Sequence, residues 1–491
     1  MSENVALFSV RSIQLRVRAM RTRFPFRYGI ASLEALPHLF VHAEIELDGE
    51  VHNGIASDGL PPKWFNKDPD SSVEQDLATM IAVIQNSARI APLLTSQPRS
   101  FFAWWQDLFH EVTHWCEQHE HPLLLAQFGA SLIERAVLDA LCKAHQESLH
   151  KLLKAPTLGI DFGCIDDRLA DLTVADILPV SPLDKVSVRH TVGLADPLCG
   201  NDISEADRLK DGLPQALDEV IQQYDVQYFK IKLSGQDFTD FNRLDAISSI
   251  LRELRPAGYK VTLDGNENFK SIADFRRFYE ALVSRESLSD LMAHVLWVEQ
   301  PLHRECALLS TVKGELESWE NAPRLIIDES DAGLDAVPKA LGLGYQGVSH
   351  KNCKGILKGL INLAYLKIHE TDTGSSLILS GEDLANVGPV ALCQDLAMQA
   401  LLGVSHVERN GHHYFNGLSV HLPEIAEAAL AAHPDLFVRA IDGGIITQIR
   451  AGEMAIDSVN SAPFGCGVMI APDKHPTLKE WILQGGFSEV T

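Results

Sequence analysis

The sequence predicts an α/β fold: a parallel (β/α) barrel that follows an α+β N-terminal unit. Three observations predict it. From about Val186 onward, short apolar strands alternate with amphipathic helical stretches, and eight such strands can be read. Before that point the chain reads first as strands and then as long helices. Finally, the polar residues of the second part gather where apolar runs end, which is the catalytic face of a (β/α) barrel.

The N-terminal unit occupies residues 1–185. Val10–Met20 and His38–Leu47 alternate apolar and polar positions, and Asp48-Gly49 supplies a turn after the second. Between them Arg23-Phe24-Pro25-Phe26-Arg27-Tyr28-Gly29 reads as a loop of aromatic and basic side chains. Residues 74–153 read as helices. Leu125–Leu149 is the clearest, with Ala130, Ile133, Ala136, Val137, Ala140 and Leu141 at helical spacing.

The barrel occupies residues 186–435. Its strands are expected at Val186–Val192, Tyr228–Leu233, Lys260–Leu263, Val295–Val298, Arg324–Ile327, Gly347–His350, Leu377–Leu379 and Val404–Val407. Residues 436–491 lose the pattern, and Ser461–Gly467 is a loop-forming cluster. No repeat of 20–50 residues and no low-complexity tract is present.

Composition narrows the function. A chain of 491 residues, 46% hydrophobic, holds more than one minimal core. Its net charge of −24 repels phosphate backbones, so nucleic acid and anionic membranes are poor partners. A small anionic substrate stays open, because one metal ion reverses the local sign of a site. The eight cysteines include no C-x-x-C pair, and Met1-Ser2-Glu3-Asn4 has no signal-peptide pattern. No apolar stretch approaches the ~20 residues of a membrane span. A cytoplasmic protein with reduced thiols is expected.

The chemistry sits at the strand ends. Strand two ends Lys230-Ile231-Lys232, strand three Asp264-Gly265-Asn266, strand four Glu299-Gln300-Pro301, strand five Asp328-Glu329-Ser330, and strand six runs into Lys351. Any one of these residues alone is also what a turn or helix N-cap shows; the joint pattern carries the argument. Three carboxylates from successive strands would repel one another unless a hard cation lay between them, and oxygen ligands suit Mg²⁺. Strand alternation points Lys230 and Lys232 the same way, into the barrel mouth. A substrate carboxylate bound by the cation has a more acidic α-proton, and a lysine base would need a pKa lowered to ~7–8. His350 reads as packing, and Cys353 and Lys354 as structural.

These motifs, in this order, resemble the muconate lactonizing subgroup of the mandelate racemase/muconate lactonizing enzyme family in the enolase superfamily. Phe128-Gly129-Ala130-Ser131 with Glu134, Ala136 and Asp139 resembles that family's last cap helix, and Phe464-Gly465-Cys466-Gly467 its returning tail. The resemblance implies a modified TIM-type barrel with an α+β capping domain completed by the C-terminal tail. It implies metal ligands Asp264, Glu299 and Asp328, holding Mg²⁺ or alternatively Mn²⁺. Lys232 and Lys351 would be the acid/base pair and Lys230 would tune Lys232. Glu329 would orient the site, and Asn266 would support it or form the loop. Phe24, Phe26, Arg27 and Trp64, in the segments Arg23–Gly29 and Asp58–Phe65, would close over the substrate. Strand alternation points Glu408 and Asn410, at the end of strand eight, the same way: inward they contact the distal part of the substrate, and otherwise they belong to a salt bridge on the barrel rim. The implied activity is a metal-dependent isomerase or lyase: a racemase, epimerase, cycloisomerase or dehydratase. The implied partners are a small carboxylate substrate and further copies of the chain.

Two departures stand out. Lys354-Gly355-Ile356 replaces the usual Gly-Gly after the sixth-strand lysine, and Glu408-Arg409-Asn410 stands where the dipeptide epimerases carry Asp-x-Asp. Dipeptide epimerisation is therefore not expected. Two other functions compete: a non-catalytic relative that keeps the scaffold for binding, and a zinc peptidase. The latter rests on His110-Glu111-Val112-Thr113-His114, an H-E-x-x-H match, with Glu134 as third ligand.

Overall fold

The computed structural model describes residues 5–28 and 31–490. The chain opens with three antiparallel strands, β1 (Phe8–Tyr28), β2 (Ala31–Leu47) and β3 (Glu50–Gly59). β1 is longer than the sequence predicts: the expected loop at Arg23 is strand. Pairing runs to Arg21 opposite Ala35 and resumes at Phe26 opposite Leu33, so residues 22–25 of β1 face Glu34 alone. This irregularity accommodates Pro25, which has no N–H for the ladder, and it hides the strand from a reading based on alternation.

Three long helices follow, Val73–Leu93, Phe101–Gln118 and Leu123–His145. The first is nucleated by a capping box: Gln75 N–H donates to Ser72 Oγ and Ser72 N–H to Gln75 Oε1. The third is buried along its whole middle, from Leu124 to Cys142. A helix apolar all round belongs between layers, and its few charged residues are bolts. Arg135 pairs with Asp58 at 2.8 Å, Asp139 accepts from the Ile55 N–H at 2.8 Å, and Glu134 reaches the barrel.

The barrel strands are β4 (Lys185–Val192), β5 (Tyr228–Lys232), β6 (Lys260–Asp264), β7 (Val295–Glu299), β8 (Leu325–Ile326), β9 (Gly347–His350), β10 (Ile378–Gly381) and β11 (His406–Arg409). All pair in parallel, in the order β8-β7-β6-β5-β4-β11-β10-β9. Hydrogen bonds from Gln346 to Leu325, Ile327 to Gly347 and Ser349 to Ile327 bring β8 against β9 and close the ring. Every expected strand is present. The seventh and eighth extend two residues further than Leu379 and Val407, which moves their ends.

The tail adds β12 (Phe437–Arg439), its partner β13 (Ile445–Thr447), and β14 (Glu453–Ala455), which lies antiparallel to β4. It then meets the first sheet: Val17 N–H donates to Pro476 O, and Arg21 to Glu489 O. All eight cysteines are free thiols. No helix among the described residues is long and apolar enough to cross a membrane.

Candidate active site

In the barrel register Lys232, Asp264 and Glu299 stand side by side at the ends of β5, β6 and β7. Paired residues of parallel strands share a face, so all three point into the mouth. Lys230 lies one layer deeper and is almost wholly enclosed. Its Nζ is 2.8 Å from Glu299 Oε2, Glu382 Oε2 and Glu408 Oε2, and 3.0 Å from Asp264 Oδ2. Lys232 Nζ donates to Asp264 Oδ2 at 2.6 Å. Lys351 Nζ donates to Asp328 Oδ2 at 2.7 Å and Glu382 Oε2 at 2.6 Å, and lies 5.2 Å from the centre of the Trp64 ring. Lys351 follows β9, four strands from β5 in either direction round the ring, so the two lysines face each other across the mouth.

Each carboxylate is held from behind. Gln300 Oε1 accepts the Asp328 N–H at 2.8 Å and the Ser330 N–H at 3.2 Å, fixing the turn after β8. Lys354 Nζ sits 2.9 Å from Asp328 Oδ1, and Ser349 donates to the same oxygen. Arg189 Nη2 at 3.2 Å and Ser380 Oγ at 2.8 Å hold Glu382 Oε1. Thr191 Oγ1 donates to Glu408 Oε1 at 2.7 Å.

Glu299, Asp328 and Glu382, all buried, each offer an oxygen within 4.8 Å of the others. This compact trio differs from the expected one. Glu382 stands in it, and Asp264 is turned onto the two β5 lysines. Among the described residues Glu299 Oε2 accepts no hydrogen bond of good geometry, although Lys230 Nζ is close to it.

The electrostatics follow from burial and pairing. Burial, then the Glu382 carboxylate, pushes the Glu299 carboxyl well above the usual range. Burial raises Asp328 too, but Lys351 and Lys354 more than reverse this and hold it far below. Burial is the largest influence on Lys230 and lowers it, yet Asp264, Glu299, Glu382 and Glu408 together lift it well above the ordinary value. For Lys232 burial is likewise outweighed, chiefly by Asp264, and the net shift is upward. Lys230 does push Lys232 downward, as expected, but its effect is outweighed. The Asp264 carboxylate at 2.6 Å dominates the neighbouring ammonium.

A cavity enclosing about 420 Å³ of empty space, part of it open to solvent, lies over these groups. Lys230, Lys232, Lys351, Asp328, Glu408 and Asn410 line its floor, and Phe26 and Trp64 line its ceiling. Phe26 stacks on Tyr414, with ring centres 4.1 Å apart. Phe24 packs instead against His413 and Tyr414, at 5.0 and 5.3 Å, and does not line the cavity. Arg27 is exposed and is also not part of the lining. Asn410 Nδ2 donates to Asp383 Oδ1 at 3.1 Å and Glu408 Oε1 at 3.3 Å. Asn266 is buried behind Asp264, whose Oδ1 accepts its N–H at 2.9 Å. Glu329 is buried with Lys67 Nζ 3.8 Å away, and its carboxyl is pushed up to about 7 by burial and by Asp328. Gly29 lies outside the described residues.

The H-E-x-x-H helix does not form a site. His110, Glu111 and His114 are exposed. Glu134, the expected third ligand, is buried and accepts the Ile356 and Leu357 N–H groups at 3.0 and 2.8 Å. The spacing matched by chance on a solvated helix face.

Glu382 was not anticipated from the sequence. Glu382-Asp383 follows β10 as the other acids follow their strands, but the sequence predicts that strand to end at Leu379, which puts both acids in the following loop. Lys354, which the sequence predicts to be structural, becomes part of the wall behind the site through its contact with Asp328.

No protein-family model and no curated protein matches the chain. Solved structures do. A mandelate racemase/muconate lactonizing protein from Herpetosiphon aurantiacus is 15% identical with a TM-score of 0.56, covering 93% of this chain and 98% of its own. A muconate lactonizing enzyme from Pseudomonas fluorescens, complexed with muconolactone, is 15% identical with a TM-score of 0.56, covering 95% and 98%. An enolase from Bradyrhizobium, complexed with magnesium and mandelic acid, is 13% identical with a TM-score of 0.51, covering 87% and 98%. With an eight-stranded parallel barrel, an N-terminal antiparallel sheet and these structural neighbours, the chain has the fold of the mandelate racemase/muconate lactonizing enzymes of the enolase superfamily.

Proposed function

We propose that the protein is a divalent-metal-dependent isomerase or lyase that removes the proton α to a substrate carboxylate. One observation carries this: buried carboxylates from β6, β7, β8 and β10 converge between two lysines that face each other across the barrel mouth. The donor set suits a hard cation. Glu299, Asp328 and Glu382 are oxygen ligands on one spot, Asp264 is adjacent, and Glu299 Oε2 has capacity to spare. Mg²⁺ is the first choice and Mn²⁺ the alternative. When bound, such a cation supplies positive charge that stabilises the negative charge developing on the substrate carboxylate.

The chain's own residues do the rest. Lys232 and Lys351 both line the cavity, one on each side, where each can take or return a proton at the α-carbon. Asp264 orients Lys232; Asp328 and Glu382 orient Lys351. Lys230 adds fixed positive charge in the floor and keeps four carboxylates together. Phe26 and Trp64 roof the cavity and limit water.

The test is α-proton exchange in deuterated water with a panel of carboxylic acids and added Mg²⁺. Exchange should require the metal and should fall to background in the Lys232→Ala and Lys351→Ala double variant. In a racemase each single variant should lose exchange from one enantiomer; in a one-base reaction only one should. Exchange at the parent rate in the double variant would remove both lysines from the chemistry and sink the reading.

A further inference from the structure

We propose that the substrate is a monocarboxylate with an apolar distal part, and that the cap side of the cavity disfavours a second carboxylate. This rests on the reading of the reaction site above. The cavity is two-sided. Its floor carries the lysines and acids of the strand ends, and its other wall is Phe26, Leu33, Pro61, Trp64, Leu384 and Ala385. Four of these six come from the N-terminal sheet and the segment after it; the other two follow β10.

A second carboxylate reaching that wall would need a cation, and the nearby ones among the described residues are committed. Lys351 Nζ, 5.2 Å from the centre of the Trp64 ring, is held by Asp328 and Glu382. Arg23 grips Asp211, with Nη2 2.9 Å from Oδ1, and donates to the His413 carbonyl at 2.6 Å. Lys63 Nζ is 2.7 Å from Asp76 Oδ2 and donates to the Ser71 carbonyl at 2.7 Å. Lys67 lies between Glu267 and Glu329, at 3.5 and 3.8 Å. Arg304 is bidentate on Glu267 and also donates to the Trp64 and Phe65 carbonyls. Arg27 is exposed and outside the lining.

The acids of the lining add to the bias. Asp383 is already paired with Arg409 at 2.8 Å, and Glu408 with Lys230 at 2.8 Å. On the cap side a second substrate carboxylate would therefore meet hydrocarbon, two paired carboxylates and, among the described residues, only cations already held by acids. Desolvating a charge without a partner is costly, whereas a methyl or phenyl group gains from the same wall.

Hexanoate and adipate separate the two cases, since they share a six-carbon chain and differ in a terminal methyl against a carboxylate. Calorimetry on the full chain with saturating Mg²⁺ should show hexanoate binding about tenfold or more tightly than adipate. Leu384→Lys and, separately, Leu33→Lys should narrow that gap by placing a cation on the apolar wall. Adipate binding as tightly as hexanoate, neither acid binding, or a gap unchanged in both folded variants would each overturn the proposal. The ratio is read without turnover. Selective binding of hexanoate with no α-proton exchange from any acid would instead defeat the reaction reading and leave this one standing.

Discussion

Glu134→Gln isolates one buried carboxyl that joins the cap to the barrel. Glu134 sits in the middle of the buried helix Leu123–His145, and its two oxygens accept the Ile356 and Leu357 N–H groups at 3.0 and 2.8 Å. Those donors open the helix Ile356–Thr373, which begins five residues after Lys351. A carboxylate at a helix N-terminus is favoured by the dipole and by the orphan N–H groups. Burial is nevertheless the stronger influence and pushes this carboxyl from 4.5 up to about 7. The folded chain thus keeps a proton that the unfolded chain releases between those values. Stability from this group is fully present below pH 4.5 and is lost as pH rises through about 7. At 1.36 kcal/mol per pH unit the interval is worth about 3 kcal/mol.

Glutamine keeps the size and one acceptor but does not titrate. The assay is urea denaturation of parent and variant in parallel at about pH 5 and about pH 8, read as the difference between the two proteins. That difference cancels groups titrating elsewhere, including the buried histidines His38 and His412, which burial holds well below their ordinary value. The parent should lose about 2.5 kcal/mol relative to the variant across this range, since pH 5 already lies above the unfolded value. Parallel pH dependence in the two proteins would show that Glu134 enters the folded state already ionised, and the argument from burial would fail.

Two further outcomes follow from the mouth of the barrel. Glu299→Gln, Asp328→Asn and Glu382→Gln should each weaken Mg²⁺ binding by calorimetry about tenfold or more; parent-like affinity in Glu382→Gln would place the β10 carboxylate outside the metal site. Lys230→Met strips the shared cation from Asp264, Glu299, Glu382 and Glu408. It should cost about 3–5 kcal/mol in metal-free buffer and regain part of that on adding Mg²⁺, and a metal-independent loss would contradict the shared role of the two cations.

Much of the fold was legible because parallel strands buried on both faces read as short apolar runs, such as Val261–Leu263 and Val295–Val298. What stayed hidden was local. β1 runs on through Pro25 to Tyr28 because an irregular pairing absorbs the extra residues, and no periodicity survives such an insertion. The three-residue strands β12, β13 and β14 are too short to carry a pattern at all. The H-E-x-x-H match shows the opposite error. Its residues have the right spacing on one helix, but His110 and His114 face solvent while Glu134 points to another element.

The site was legible strand by strand and not in its pairings. Alternation points Lys230 and Lys232 the same way and the strand ends place Asp264 and Glu299 at the mouth, whereas the register that sets Lys232, Asp264 and Glu299 side by side comes from the folded barrel. Which carboxylate meets which lysine depends on the ring order, and the ring brings β10 beside β9 and within reach of β5. That adjacency puts Glu382 between Lys230 and Lys351, and no spacing between residues 230, 351 and 382 announces it. Once Glu382 is in place the two outer lysines are no longer equivalent. Lys351 is clasped by two carboxylates and an indole ring, whereas Lys232 leans on Asp264 with Lys230 close behind. A symmetric reading of Lys232 and Lys351, natural from the motif, therefore becomes an asymmetric one in the folded chain. The exchange experiment on the two single variants measures that asymmetry directly.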